Sequence, residues 1–264
     1  MAALPVSKAH AYGNDFLFAR HDDAPADAAQ LARALCNRHE GIGADGLILY
    51  SIRPFGATMR LLNADGSPSD LSGNGMRCLA ALVARSQRLA PGATVTADTD
   101  AGVKTLELLA REGERYTFRA ALGPPAHIRQ VEIPVLGQTL TASVLWMGNP
   151  QCVILGELPE PEDFHRFGPA LATHAMFPAG TNVEFAQVEA PDRVRILIWE
   201  RGVGPTMSSG TGSSASAVAA AAHGGAARTV DVIASGGTQR VEWKDEGVYL
   251  TGWAEVLFEG QWLL

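Results

Sequence analysis

The sequence has no run of lysine or arginine, and its formal net charge is −7 over 264 residues. Nucleic acids and anionic membranes are bound through basic patches, so we expect neither as a partner. The chain has only three lysines, Lys8, Lys104 and Lys244, and none adjoins a glycine-rich segment. A pyridoxal-phosphate Schiff base at such a segment is therefore not expected.

Cysteine is also scarce. Cys36, Cys78 and Cys152 are too few for a disulfide framework and indicate a reducing compartment. The first residues contain neither the charged nor the apolar region of a secretory signal, and the most apolar run, ASAVAAAA, is too short to cross a bilayer. We therefore expect a cytoplasmic protein.

Metal and nucleotide motifs are missing as well. The seven histidines form no His-x-x-x-His pair and no cluster with cysteine at ligand spacing. GIGADG, from Gly41 to Gly46, follows a predicted helix and precedes a predicted strand, which reverses the order of a dinucleotide-binding turn. SGTGSSAS lacks the lysine of a P-loop. We expect no metal and no cofactor.

Two stretches of the chain resemble each other. DLSGNGMRCLAALVA and TMSSGTGSSASAVAAAA each place a serine before Gly-x-Gly and then continue as an apolar, helix-forming segment. A strand-forming segment and a polar loop precede both serines, MRLLN before Ser72 and VRILIW before Ser209. Because the order of the flanking elements also matches, we interpret the pair as an internal duplication rather than a coincidence of one common turn.

The duplication predicts the architecture. A helix without a polar face is normally buried, and alternating segments surround both apolar helices. We predict an α+β fold of two similar domains, each a curved, mainly antiparallel, barrel-like sheet around a central buried helix, with the active site in the cleft between them. The prolines of LGPPAHI indicate domains 1–122 and 123–264, and the last strands are allowed to return to the first domain.

The two serine-glycine segments also predict a binding site. A helix N-terminus presents free N–H groups and positive potential, and glycines let a carboxylate or phosphate approach closely. Ordinary N-capping by Ser72 and Ser209 is the alternative. Glu200 and Arg201 end a strand before the second segment and read either as an ion pair or as a clamp for a substrate carboxylate.

Eight segments of the sequence are informative as an ordered set: AYGNDF, RHEGIGADG, NADGS, SGNGMRC, GNPQCV, TNVEF, ERGVGPT and SGTGSSA. Their order resembles the diaminopimelate epimerase family over most of the chain. The resemblance implies a cofactor-independent isomerase that converts LL- to meso-diaminopimelate for lysine and peptidoglycan precursor synthesis. One cysteine removes the α-proton and a second delivers a proton to the opposite face. A small amino acid is then the substrate, and a homodimer is compatible with this interpretation.

The resemblance assigns residues of this sequence to roles. Backbone amides at the helix ends hold the α-carboxylate, and an arginine contacts a carboxylate. The implied substrate-binding residues are Asn14, Asn63, Gly73, Asn74, Asn149, Asn182, Glu200, Arg201, Gly210 and Thr211. Ser72 and Ser209 occupy the positions of the two catalytic cysteines.

Serine changes the chemistry expected there. A cysteine thiol has a pKa of about 8.5, which a helix N-terminus lowers, whereas a serine hydroxyl is a far weaker acid that needs a neighbouring base. The family's histidine after Gly-Asn-Pro is Gln151 here, and Cys78 lies within the predicted helix rather than at its tip. The groups that would most readily assist proton transfer by Ser72 and Ser209 are therefore absent from the sequence.

Three accounts remain open at this point. The chain belongs to a natural branch that uses serine, or groups such as Glu200 or Glu40, for a related isomerase or dehydratase reaction. Alternatively it is a Cys→Ser version of an ordinary epimerase that traps substrate. In the third account it has lost catalysis and only binds an amino acid.

Overall fold

The computed structural model describes residues 3–69, 72–99 and 102–263. The helices within these residues are α1 (Ala28–Cys36), α2 (Gly73–Ser86), α3 (Pro161–Ala172) and α4 (Gly210–His223), with a short 3-10 helix at His21–Asp23. The first strands are β1 (Ala3–Ala11), β2 (Asn14–Arg20), β3 (Gly46–Arg53), β4 (Gly56–Asn63), β5 (Pro68–Ser69), β6 (Thr94–Thr99), β7 (Gly102–Glu112) and β8 (Arg115–Gly123). The later strands are β9 (Ala126–Val135), β10 (Gln138–Trp146), β11 (Pro150–Leu155), β12 (Asn182–Ala190), β13 (Arg193–Glu200), β14 (Gly204–Thr206), β15 (Thr229–Ala234), β16 (Gly237–Lys244) and β17 (Gly247–Leu263).

The chain divides into two compact units. Unit 1 comprises Met1–Ala120 and Gly252–Leu264, and unit 2 comprises Ala121–Thr251. The divisions fall within β8 and β17 rather than in loops. Pro124 and Pro125 separate the end of β8 from the start of β9, because proline offers no N–H for a ladder.

Unit 1 is a sheet that closes on itself. β1 pairs with β2, β3 with β4, β6 with β7 and β7 with β8 in antiparallel fashion. The β2–β3 and β4–β6 pairs are parallel, and their crossovers contain α1 and α2 respectively. Pairing of β17 with both β8 and β1 completes a ring of eight strands.

Unit 2 repeats this order of connections. β10 and β11 are antiparallel, β11 and β12 are parallel across α3, and β12 and β13 are antiparallel. β13 and β15 are parallel across α4, and β16 then pairs with β15 and β17. The short strands β5 and β14 occupy equivalent places beside β4 and β13. The predicted α+β fold of two similar domains is confirmed.

Each unit encloses one of the two apolar helices. α2 contacts β1, β2, β4, β6 and β7, and every residue from Asn74 to Ala84 is buried. α4 contacts β10 to β13, β15 and β16, and its alanines and serines let those strands approach closely. The prediction of buried central helices is confirmed. Among the described residues, no helix combines the length and apolar character needed to span a membrane.

Candidate active site

The first candidate site is the α2 tip, residues 72–75 of unit 1. Ser72 has extended backbone angles and caps the helix, and its Oγ accepts a hydrogen bond from the Gly75 amide at 3.1 Å. Among the described residues, a methyl group added at Gly73 would meet no atom within 4 Å. Ser72 therefore caps its helix, and the described residues leave space beside the first residue of the helix.

Side-chain hydrogen bonds connect the α2 tip to the start of β2. Asn74 Nδ2 donates to Asn14 Oδ1 at 3.3 Å, and Asn14 Nδ2 donates to Asp45 Oδ2 at 2.6 Å. The buried Arg77 donates to Asn74 Oδ1 at 3.0 Å. The structure thus brings the predicted residues Asn14 and Asn74 together and fixes the orientation of both amides.

An ionic cluster supports this network from behind. Arg38 donates to both carboxylate oxygens of Asp15, at 3.2 and 2.7 Å, and to Asp45 at 2.8 Å. Lys8 lies 2.9 Å from Asp15. Burial raises the pKa of Asp15, but the hydrogen bonds from Arg38 and Lys8 outweigh it, so the pKa lies below its ordinary value.

Asn63 and Glu40 make separate contacts. The exposed Asn63 donates from Nδ2 to Ser67 Oγ at 2.9 Å within the turn that Gly66 forms at φ +85°. The exposed Glu40 accepts a hydrogen bond from Asn37 at 3.3 Å. In the described residues, no side-chain hydrogen bond of either residue reaches Ser72, Asn14 or Asn74.

The second candidate site is the α4 tip, residues 209–212 of unit 2. Ser209 Oγ accepts from the Gly212 amide at 3.1 Å and lies 3.4 Å from Thr211 Oγ1. Ser209 is only 7% exposed. Both tips therefore have the same local geometry, as the repeated sequence predicts.

A buried polar group lies under the α4 tip. Oriented to satisfy its partners, the Gln151 amide donates to Glu184 Oε1 at 2.9 Å and Oε2 at 3.2 Å, and accepts from Asn182 Nδ2 at 3.2 Å. The Asn149 amide lies 2.5 Å from that of Gln151. Asn182 Oδ1 accepts from the Arg201 backbone amide at 2.9 Å. Gln151 thus brings the predicted residues Asn149 and Asn182 together.

Glu184 has an unusual environment for a carboxyl group. It is completely buried, and burial first and the neighbouring Glu200 second hold its pKa well above the ordinary value. Both effects favour the protonated form of this carboxyl group.

Arg201 presents its side chain to a cavity of unit 2. Its Nη1 donates to the Ala179 carbonyl at 2.8 Å, and it lines a cavity of about 370 Å³ together with Trp199 and Gly180. The side chain is exposed, so its remaining N–H groups are available to a carboxylate.

The three cysteines offer no thiolate. All are free and buried, and desolvation raises the pKa of Cys36 to about 12 and lifts those of Cys78 and Cys152 even further. Cys78 therefore does not replace Ser72 as a proton carrier.

Comparison with known proteins shows the family of the chain. The family model described as diaminopimelate epimerase matches residues 6–128 and 143–257. The chain belongs to the diaminopimelate epimerase family. The diaminopimelate epimerase of Desulforudis audaxviator is 40% identical over 98% of this chain and 99% of its own, and that of Desulfitobacterium hafniense is 39% identical over 97% of each. The chain is accordingly an isomerase of the epimerase type.

Solved structures share the fold at low sequence identity. A predicted epimerase from Pseudomonas aeruginosa has a TM-score of 0.75 at 14% identity, with 99% of each chain covered. A hydroxyproline epimerase from Agrobacterium vitis has a TM-score of 0.68 at 18% identity and covers 99% of this chain and 91% of its own. These similarities extend the family's architecture to other epimerases.

Sequence reasoning missed Glu184. It lies inside the motif TNVEF, where only Asn182 was assigned a role. Aligning TNVEF with DGLIL, the segment that begins β3 in unit 1, would have placed a glutamate opposite an isoleucine and marked the position.

Proposed function

We propose that the chain is a cofactor-independent amino-acid epimerase that interconverts LL- and meso-diaminopimelate by two-base proton transfer. The observation that carries the proposal is the pair of tips, at which a capping serine hydroxyl heads an enclosed helix in each of two similar units. The relatives at 39 and 40% identity carry the name of this activity.

In the proposed reaction, Ser72 and Ser209 act on one α-carbon from opposite faces. One serine acts as the alkoxide, takes the α-proton and becomes a hydroxyl, while the C–H electron pair stays on carbon. The other serine hydroxyl gives its proton to that carbon and becomes the alkoxide; the roles exchange for the opposite isomer. Helix N-termini stabilise the negative charge that moves toward the α-carboxylate as the C–H bond breaks. The amides assigned to that carboxylate are those of Gly73, Asn74, Gly210 and Thr211.

The remaining groups suit an amino acid. Asn14, Asn63, Asn149 and Asn182 supply neutral donors and acceptors, which serve an ammonium and a carboxylate equally. Arg201 pairs with a substrate carboxylate in bidentate fashion, and Glu200 faces a substrate ammonium. We place the reaction in the cytoplasm, where reducing conditions suit three unpaired cysteines.

Exchange of the substrate α-proton tests this proposal. LL- or meso-diaminopimelate is incubated with the protein in D₂O and the α-proton is followed by NMR. We expect exchange in the wild type and a loss of about 100-fold or more in Ser72→Ala and in Ser209→Ala, since general acid–base groups contribute at least that much. Ser51→Ala, a serine on β3 outside both tips, serves as the control and should exchange at the wild-type rate.

A non-catalytic amino-acid-binding protein is the second candidate. It is favoured by the weak acidity of the two hydroxyls, both of which accept a helix amide. Binding of diaminopimelate without exchange, together with exchange that appears in Ser72→Cys/Ser209→Cys, would establish the binding protein and reject the epimerase.

A further inference from the structure

Glu184 and Gln151 lie next to each other on the paired strands β11 and β12 of unit 2. β11 and β12 place Gln151 beside Asn182, and Glu184 follows two residues later on the same face of β12. A methyl group added at Gly212 would lie 2.6 Å from Glu184 Oε1 and 3.2 Å from Ser209 Oγ. The buried carboxyl and the serine hydroxyl therefore flank the same point of the α4 tip.

Unit 1 shows what this position requires structurally. The register of Phe16 with Gly46 on β2 and β3 corresponds to that of Gln151 with Asn182, so Phe16 matches Gln151 and Ile48 matches Glu184. A methyl group at Gly75 would lie 2.9 Å from Ile48 Cδ1 and 3.5 Å from Phe16 Cε1. The α2 tip thus packs on two apolar side chains, whereas the α4 tip packs on Glu184, to which Gln151 is hydrogen-bonded.

The fold does not need the polar pair. Burying a carboxyl and an amide costs free energy that an isoleucine and a phenylalanine avoid, and apolar replacements of buried polar groups are often neutral or stabilising. The same sheet-and-helix packing exists in unit 1 without them. A reason other than packing is therefore required for Glu184 and Gln151.

We propose that Glu184, oriented by Gln151, is the proton partner of Ser209, supplying the neighbouring acid–base group that a serine needs in place of a cysteine. This inference rests on the proposed epimerase function. When Ser209 protonates the α-carbon, its O–H bond breaks, a C–H bond forms with the carbanion's electron pair, and the Glu184 carboxyl proton moves to Oγ. Serine ends neutral and Glu184 ends as a carboxylate; the reverse reaction returns both protons.

The surroundings of Glu184 suit a group that holds a proton and donates it to Ser209. Glu200 on β13 and the Cys152 thiol on β11 are the titratable groups of the described residues that interact with it, and α4 faces it with Gly212 and Ser209. Burial favours the protonated carboxyl, which is the form that carries the proton Ser209 needs as a donor. Ser209 Oγ accepts from the amide of Gly212, the residue against which Glu184 Oε1 packs. We expect the contact between the hydroxyl and the carboxyl to form in the substrate complex, where catalytic hydrogen bonds tighten.

A double-mutant cycle with a thiol tests the assignment. Glu184→Gln keeps the shape and the neutral charge but removes the transferable proton, and we expect kcat to fall about 100-fold with KM changed less than about threefold. A thiol ionises without help, so in a Ser209→Cys background Glu184→Gln should change kcat by less than about threefold. Glu189→Gln, on the same strand but ion-paired with Arg195, is the matched control and should leave both constants unchanged.

Two further measurements separate the outcomes. Glu184→Ile/Gln151→Phe copies the packing of unit 1; it should melt at or above the wild-type temperature and be as inactive as Glu184→Gln, which keeps the test valid if the single variant folds poorly. An equal loss in the serine and cysteine backgrounds, or none in either, overturns the role of Glu184 while the epimerase stands. No α-proton exchange in the wild type overturns the epimerase and this step with it.

Discussion

Gly212 is the most crowded residue of the α4 tip. A β-carbon there would lie 2.6 Å from Glu184 Oε1, a buried atom held by Gln151, and 3.2 Å from the Cβ of Ser209. We expect Gly212→Ala to lower the free energy of unfolding by about 1–3 kcal/mol, the usual cost of overpacking. Urea denaturation measures the difference.

Gly73→Ala is the matched control for Gly212→Ala, because a β-carbon at Gly73 meets no atom of the described residues within 4 Å. It should change the free energy of unfolding by less than about 0.5 kcal/mol, as surface substitutions do. Equal losses in the two variants would mean that Glu184 does not pack against α4 as described.

Asp15 links three charged side chains in unit 1, and its removal has a calculable pH dependence. Asp15→Asn replaces charge-assisted bonds to Arg38 and Lys8, so we expect a loss of about 1.5–3 kcal/mol at pH 7. Since the folded pKa of Asp15 is lowered, its contribution is complete above the unfolded pKa of about 3.9 and disappears as the pH falls through the folded pKa. The two melting curves should therefore converge below about pH 4; a constant gap would contradict the ionic account.

The helices α2 and α4 depend on their serine caps, Ser72 and Ser209. Replacing an N-cap serine by alanine costs about 0.5–2 kcal/mol, whereas glycine costs only a few tenths. We expect Ser72→Ala and Ser72→Gly to differ in this way in chemical denaturation and yet to be equally deficient in α-proton exchange. Exchange that follows stability across the two variants would indicate that Ser72 is only a cap.

The sequence predicted these helices because their signals are local: a capping serine, glycines in the first turn, and apolar residues all round. β9 was not predicted, since most of its residues are at least partly exposed and the alternation that marks a strand is weak. Glu184 was missed for another reason. Its meaning depends on Gln151, 33 positions earlier in the chain, and on Gly212, and no local pattern joins the three.

The two units share the order of their strand connections but differ in the side chains beneath their helix tips. Both follow an antiparallel pair, a parallel crossover, and a second crossover through the enclosed helix, so the backbone delivers a serine to each tip. Ile48 beneath one tip and Glu184 beneath the other then make the tips chemically different. A fold with two copies of one site can keep the packing in the first and place a proton carrier in the second.

β17 gives a final test of how the units are built. Residues from Gly252 onward close the ring of unit 1: they pair with β1 and β8, and the Trp253 ring lies 4.4 Å from that of Tyr12. Deleting residues 252–264 leaves β1 and β8 with open edges, and the described part of unit 2 keeps its own pairing of β16 with Gly247–Thr251.

For this deletion, we expect hydrogen exchange measured by mass spectrometry to accelerate in β1, β8 and α2 and to stay slow in β12 and α4. Leu257→Ser, 52% exposed on the same strand, should leave all five elements protected. Uniform acceleration throughout the chain would show instead that the two units unfold as one.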